Sequence, residues 1–346
     1  MTKQLTVAVV GATGAVGSKM MEHLIKRNFP IKHIKFLASA RSAGKEMIFN
    51  SQTYTIEEAT PESFEGVDLA LFSAGGSVSA TLAPEAAKRG AIVIDNTSYF
   101  RMDPEVPLVV PEVNRHALKE IPKGIIANPN CSTIQMVAAL QPIREKFGLT
   151  KIIVSTYQAV SGSGIAAIEE LKAQSEQWEA GKNVEANILP VKADNKHYPI
   201  ARNVIPQIDK FTENGYTYEE MKMINETKKI MEMPSLQVAA TCVRVPVVSG
   251  HSESVYIELE QEATVKDIFE VLQGAPGIVL QDDSTNQVYP MPIYAEGEEP
   301  TFVGRIRQDL DNKKGFHMWI VADNLLKGAA LNSIQIAEAM LDDNLL

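Results

Sequence analysis

Short apolar runs at regular intervals organise the first third of the chain. Leu5 to Val10 is too short for a helix and too uniformly apolar for a half-exposed strand, so it reads as a buried parallel strand. The turn Gly11-Ala12-Thr13-Gly14-Ala15-Val16-Gly17 follows, and Ser18 to Arg27 then sets Met21, Leu24 and Ile25 on one helical face. Further strands are predicted at Ile34–Leu37, Val67–Phe72 and Ala91–Ile94, alternating with helical stretches such as Ser79–Lys88. This alternation predicts a doubly wound, Rossmann-type α/β domain. Beyond Asn128 the pattern changes. Ser132–Phe147 is helical, with Ile134, Val137, Ala138, Leu140 and Ile143 toward one side, and strands are predicted at Lys151–Gln158, Val238–Val248 and Ser254–Leu259. Long β-rich segments predict an α+β domain with a polar helical insertion over Ile165–Trp178, and Asn324–Leu341 is helical again. The boundaries expected are 1–129, 130–323 and a C-terminal helix over 324–346 that returns to the first domain. At roughly 150 residues per domain, 346 residues fit such a division.

Composition narrows the function classes. Hydrophobic residues make up 45% and charged residues 22% of the chain, and no stretch approaches the ~20 apolar residues of a membrane span. The opening apolar run stops at Gly11, too soon for a secretory signal. A formal charge of −10 argues against a general grip on nucleic acid or an anionic bilayer. Cys131 and Cys242 match no metal-ligand spacing, so no metal is expected, and their scarcity fits the reducing cytoplasm.

The glycine turn carries the first chemistry. Gly11 lets the chain reverse at the strand end, while Gly14 and Gly17 remove side chains where backbone approaches a pyrophosphate and helix meets strand. The helix start offers N–H groups to phosphates. A tight turn without ligand is the plain alternative. At the end of the second strand stand Arg41 and Ser42, with no acid between Phe36 and Lys45. A ribose 2′-hydroxyl is usually met by Asp or Glu and a 2′-phosphate by Arg, so NADP is favoured over NAD unless Arg41 is merely a solvated surface residue.

In Asn128-Pro129-Asn130-Cys131-Ser132-Thr133, Pro129 delays the helix and puts Cys131 at its first turn. Unpaired N–H groups there favour thiolate and can hold an oxyanion; an inert structural cysteine is the alternative. Cys242, in a strand-like setting, is read as inert. His251 is placed in a tight connection between two strands, where a proton acceptor for a thiol could project. Arg101 follows the fourth strand. Glu219 and Lys222, three apart on a helix, share a face and could be no more than a surface ion pair. Arg244, flanked by Val243 and Val245, needs an anion partner.

With these residues in view, the chain resembles the aspartate-β-semialdehyde dehydrogenases over its whole length. The likeness rests on the segments 11–17, 128–133, 157–164 (Tyr-Gln-Ala-Val-Ser-Gly-Ser-Gly), 244–251 (Arg-Val-Pro-Val-Val-Ser-Gly-His) and 323–330 (Asp-Asn-Leu-Leu-Lys-Gly-Ala-Ala). It implies that Cys131 is an acyl-thioester nucleophile, His251 the acid/base catalyst and Gln158 a residue that positions substrate. It implies further that Arg244 binds the substrate α-carboxylate, Glu219 its α-amino group, Arg101 and Lys222 the phosphate, and that Asn130 lies among the substrate contacts. For NADP it points to Gly11, Thr13, Gly14, Ala15, Val16, Arg41, Ser42, Ser161, Gly162 and Asn324. The reaction implied is reductive dephosphorylation of β-aspartyl phosphate to aspartate-β-semialdehyde, in the biosynthesis of lysine, threonine and methionine, by a homodimer that can associate to a tetramer. Two alternatives stay open: an N-acetyl-γ-glutamyl-phosphate reductase, whose acylated substrate has no use for Glu219, and a non-catalytic NADP-binding regulatory protein.

Overall fold

The structure is a computed structural model and describes residues 3–346. In chain order the strands are β1 (Leu5–Val10), β2 (Ile31–Ala38), β3 (Glu46–Phe49), β4 (Gln52–Thr55), β5 (Glu57–Glu58), β6 (Leu69–Phe72), β7 (Ile92–Asp95), β8 (Ile125–Ala127), β9 (Lys151–Gln158), β10 (Gln237–Arg244), β11 (His251–Glu258), β12 (Ile278–Leu280), β13 (Thr301–Gln308) and β14 (Gly315–Ala322). The helices are α1 (Ala15–Lys26), α2 (Gly76–Lys88), α3 (Pro111–Asn114), α4 (Cys131–Phe147), α5 (Ile165–Glu179), α6 (Tyr218–Ile230), α7 (Val265–Leu272), α8 (Pro292–Ala295) and α9 (Leu331–Asp342). The chain groups into two units, one running to Asn130 and resuming over Ala329–Leu346, the other comprising Cys131–Gly328.

In the first unit the apolar runs pair as a wholly parallel sheet in the order β5-β2-β1-β6-β7-β8. Strand order reverses between β1 and β6, and a doubly wound sheet opens its ligand crevice beyond the strand ends at that point. The glycine turn follows β1 there. Helix α9 adds Ile334, Ile336, Ala337 and Met340 to the core built from β1, α1 and β2, and Arg27 on the α1 C-cap holds Glu338 through two 2.8 Å bonds. The hairpin β3-β4 was not anticipated; it covers Phe36 with Phe49 and Tyr54.

The second unit is a mixed sheet in the order β10-β9-β11-β14-β13-β12. One face carries α4, α6 and α7, and the α4 positions Ile134, Val137, Leu140 and Ile143 are buried there. The other face leaves Ile153 and Tyr157 of β9 exposed, with Tyr256 and Trp319 half-buried on the neighbouring β11 and β14. Helix α5 realises the predicted insertion and packs Ala167 and Leu171 into a satellite cluster with Leu189, Ile200 and Ile205. Gln174 on its buried face accepts from the backbone of Ile200 and Ala201, which anchors the long loop that follows.

Among the boundaries that differ from the sequence reading, three bear on the site. The strand predicted to reach Val248 ends at Arg244, because Pro246 lacks a ladder donor and Val247 bonds back to Val245. His251 is not in the connection but opens β11, paired with Ala322, since the reversal is completed by Gly250 at φ 87°. The final helix starts at Leu331; Leu326–Ala330 forms a wider, π-type turn before it.

Candidate active site

The residues singled out in the sequence fall into two sets, one in each unit. In the first unit β1 delivers the chain to Gly11, whose φ of 84° and whose position against Ser73, where an added Cβ would stand 2.7 Å from the carbonyl oxygen, admit glycine alone. A Cβ on Gly17 would collide with the Gly11 carbonyl oxygen, so the helix sits tight on the strand. Gly14 is the N-cap of α1 and contributes no capping side chain, which leaves N–H groups of the first turn, at Ala15 and Val16, for an anion. Beside this turn a groove of about 510 Å³ is lined by Gly11, Thr13, Arg41, Ser42, Ser77 and Thr81. Uncapped N–H groups and a nearby guanidinium suit a dinucleotide carrying an extra phosphate, so the donor set fits NADP. Glu58, paired in register with Ala38, also lines this groove and was missed, because it comes from the edge strand β5 and not from β2.

Arg101 belongs to the same unit. Asp95, at the end of β7, accepts from Ser79 Oγ (2.9 Å), Thr97 N (2.9 Å) and Thr97 Oγ1 (2.8 Å), which fixes the following loop; burial nevertheless pushes its carboxyl up. Arg101 then donates to the Asn96 carbonyl at 2.8 Å and is largely buried. Asn130 closes the unit and is buried too.

In the second unit Cys131 is the first residue of α4, half-buried and not in a disulfide. Gly328 backs it: an added Cβ there would lie 2.8 Å from the Cys131 Cβ. The strand ends of β9, β10 and β11 bring the other side chains together. Gln158 donates to Glu219 Oε1 at 3.1 Å and to Thr156 Oγ1 at 3.3 Å. Lys222 reaches Glu219 Oε2 at 3.3 Å and Asp209 at 3.0 Å, so the ion pair read from the sequence exists, with Glu219 itself nearly fully buried. Arg244 is also buried; it donates to the Ala159 carbonyl (2.7 Å) and to Ser163 Oγ (2.9 Å). Those partners are neutral, burial works against the cation, and Glu219 is the first group that supports it. Among the described residues two of its five N–H donors are engaged and Nε has no partner, which leaves the fork able to take a carboxylate.

His251 has no solvent exposure. The Ala159 N–H donates to its Nδ1 at 3.1 Å, so the neutral ring carries its proton on Nε2, which has no partner among the described residues. Burial first, then Arg244, hold the ring down to about 3, with Glu219 opposing. Gly162 lies against both residues: a Cβ there would be 3.0 Å from Arg244 Nη1 and 3.4 Å from His251 Nε2. Asn324 is tied to Ser161 Oγ and accepts from the Gly250 N–H, fixing the turn that precedes His251. Cys242, in contrast, is sealed on β10 against Met223, and burial pushes its thiol far up. Ser163, Gln135 and the Ala159 backbone were not singled out in the sequence; each acts through a polar contact that only the tertiary pairing creates.

Comparisons with known proteins agree over the whole chain. Residues 6–121 match the family model described as semialdehyde dehydrogenase, NAD binding domain, and residues 140–327 the model described as semialdehyde dehydrogenase, dimerisation domain. An aspartate-semialdehyde dehydrogenase of Bacillus subtilis is 64% identical over 346 residues, all of both chains, and one of Aquifex aeolicus is 53% identical over 98% of this chain and 99% of its own. Among solved structures, aspartate semialdehyde dehydrogenase II of Vibrio cholerae complexed with ASA superposes with a TM-score of 0.94 at 46% identity, covering 99% of each chain. The Candida albicans aspartate semialdehyde dehydrogenase with NADP gives 0.78 at 25% identity, over 99% of this chain and 100% of that one. By its motifs, its sheet order and these matches, the chain belongs to the aspartate-semialdehyde dehydrogenase family.

Proposed function

We propose that Cys131 carries the NADP-dependent reductive dephosphorylation of β-aspartyl phosphate to aspartate-β-semialdehyde through a thioester, within aspartate-family amino-acid biosynthesis. The observation that supports this most directly is the placing of Cys131 at the start of α4 in one unit with the Arg244–His251–Glu219–Gln158 cluster. The helix N-terminus and the Arg244 cation both favour a thiolate. The thiolate attacks the acyl carbon, the carbon–oxygen bond to phosphate breaks, and phosphate leaves with the electron pair. Arg101 and Lys222 neutralise that leaving dianion. Arg244 takes the α-carboxylate with its remaining donors, while Glu219, steadied by Gln158, takes the α-ammonium. NADPH, when bound, would supply a hydride to the thioester carbon, which leaves a tetrahedral alkoxide on the Cys131 sulfur. Sulfur then departs as thiolate and the aldehyde is released.

His251 serves this sequence from its Nε2–H. With Nδ1 occupied by a backbone donor and the ring held neutral, the imidazole gives a hydrogen bond to whichever substrate oxygen gains charge in the tetrahedral species. Gly11, Thr13, Gly14, Ala15 and Val16 would hold the NADP phosphates and Arg41 with Ser42 the 2′-phosphate; Ser161, Gly162 and Asn324 are assigned to the cofactor as well. The buried Glu219 disfavours an N-acylated substrate, because a neutral amide gives a carboxylate no charge to meet.

The test is oxidative turnover of aspartate-β-semialdehyde with NADP, with and without inorganic phosphate. Phosphate-dependent NADPH formation is expected in the wild type. Cys131→Ser is expected to lose turnover by about a thousandfold or more while NADPH titration is unchanged. Wild-type turnover in that variant removes the thioester.

We further propose that the bare face of the second sheet, around Ile153, Tyr157 and Trp319, joins two copies into a homodimer.

A further inference from the structure

The chemistry described leaves one buried acid unused. Glu253 lies two residues along β11 from His251, so the two side chains leave the strand on the same face. It has no solvent exposure. Its strand neighbours are Thr156 on β9 and Ile320 on β14; Cys242 on β10 and Gln135 on α4 are the polar groups that act with it. Among the described residues no lysine or arginine contributes to the state of its carboxyl, and burial pushes that carboxyl well above the ordinary range, with Gln135 offsetting only part of the effect.

The hydrogen-bond pattern has a gap at this place. Gln135 Nε2 spends one of its two N–H groups on the His251 carbonyl, at 3.2 Å. Among the described residues Gln135 Oε1 and both carboxyl oxygens of Glu253 are buried with no hydrogen-bond partner in good geometry. These three buried acceptor atoms share one place, and a proton on Glu253 would put a donor among them. Gln135 also stands four residues after Cys131, on the same side of α4. It therefore ties the helix that begins with the nucleophile to the strand that begins with the imidazole.

We propose that Glu253 is a positioning residue held as the neutral acid: its O–H donates to Gln135 Oε1, and the Gln135 amide in turn fixes the His251 backbone and with it the reach of the imidazole. Glu253 touches no reacting atom. The proposal rests on the role given to His251 above, yet it concerns a proton that can be observed without turnover.

Infrared difference spectra of wild type minus Glu253→Gln at neutral pH are expected to contain the C=O stretch of a protonated carboxyl. Ionised-carboxylate bands in its place overturn the proposal, whatever the kinetics. Glu253→Gln keeps a donor for Gln135 and is expected to retain kcat within about twofold, whereas Glu253→Leu, of similar bulk and without a donor, loses about tenfold or more in kcat with KM for phosphate and semialdehyde nearly unchanged. Equal kcat in the two variants also overturns it. Should Glu253→Leu fail to fold by circular dichroism, the infrared measurement on the wild type decides alone. A failed Cys131→Ser prediction with the carboxyl band present would sink the thioester reading and leave the Glu253 proton standing.

Discussion

At the scale of single residues, burial acts in opposite directions on the two ionisable groups that face the core from the start of β11. His251 and Glu253 are shifted in opposite directions, and their effects on stability have opposite signs. The folded value of His251, about 3, lies below its ordinary 6.5, so between these the unfolded chain binds the extra proton and stability rises with pH. Glu253 is raised above its ordinary 4.5; the unfolded chain sheds that proton first, and its contribution, complete below 4.5, declines as pH rises. The melting temperature of Glu253→Gln minus that of the wild type should therefore grow between about pH 5 and about pH 8, by at most ~1.4 kcal/mol per pH unit in stability. A difference flat in pH would mean that the acid is ionised when folded. Arg41 makes a simpler case. Its side chain is exposed on the groove wall, where a guanidinium can pair with a 2′-phosphate but finds nothing to hold on a 2′-hydroxyl. Arg41→Ala should weaken NADP by roughly 10- to 100-fold and NAD by less than about twofold, measured by fluorescence titration of the reduced forms. Equal losses would assign Arg41 to the surface.

At the scale of elements, what was legible in the sequence is what local chemistry decides. β1 and β9 have the predicted limits because both are short runs of strand-forming residues, one ended by Gly11 and the other by the turn after Gln158. Cys131 heads α4 because Pro129 cannot lie deeper in a helix. Strands β13 and β14 were not predicted, although Phe316, Met318 and Ile320 alternate with His317 and Trp319, since alternation marks a strand without naming its partner. His251 was misplaced for a related reason: its pairing with Ala322 draws on a residue 71 positions away, and no local signal announces it. The turn over Leu326–Ala330 shows the same limit. Its sequence reads as a helix start, yet its use is to bring Gly328 against Cys131. Gly328→Ala would press a methyl group to within 2.8 Å of the Cys131 Cβ and displace the first turn of α4. The expected result is a fall in kcat of about 10- to 100-fold, with NADPH affinity kept because Gly328 is not among the residues assigned to the cofactor. A variant with normal kcat would show that the turn yields without moving the sulfur.

At the scale of the whole molecule, the second unit is built as half of something. Its sheet buries one face under α4, α6 and α7 and leaves the other bare across strands that lie in the middle of the sheet, where a single copy has no reason to present Ile153 at 46% exposure and Tyr157 at 38%. The Tyr157 and Trp319 rings meet on this face with centroids 5.4 Å apart and planes tilted by 42°, and Arg305 and Arg307 lie beside Trp319. An apolar, aromatic centre edged by charge is the make-up of a protein interface, and a two-fold pairing would set the face against itself. Ile153→Asp then introduces two carboxylates at once into the joined surface, where each loses water and gains no cation. In a single copy the same aspartate stays in solvent, so the fold should survive with an unchanged circular dichroism spectrum. Sedimentation velocity should find the wild type as a dimer and Ile153→Asp as a folded monomer, the association weakened by about a hundredfold or more. An Ile153→Asp protein that sediments as the wild type does would place the contact between copies elsewhere, and the bare face would then need another partner to account for its aromatic surface.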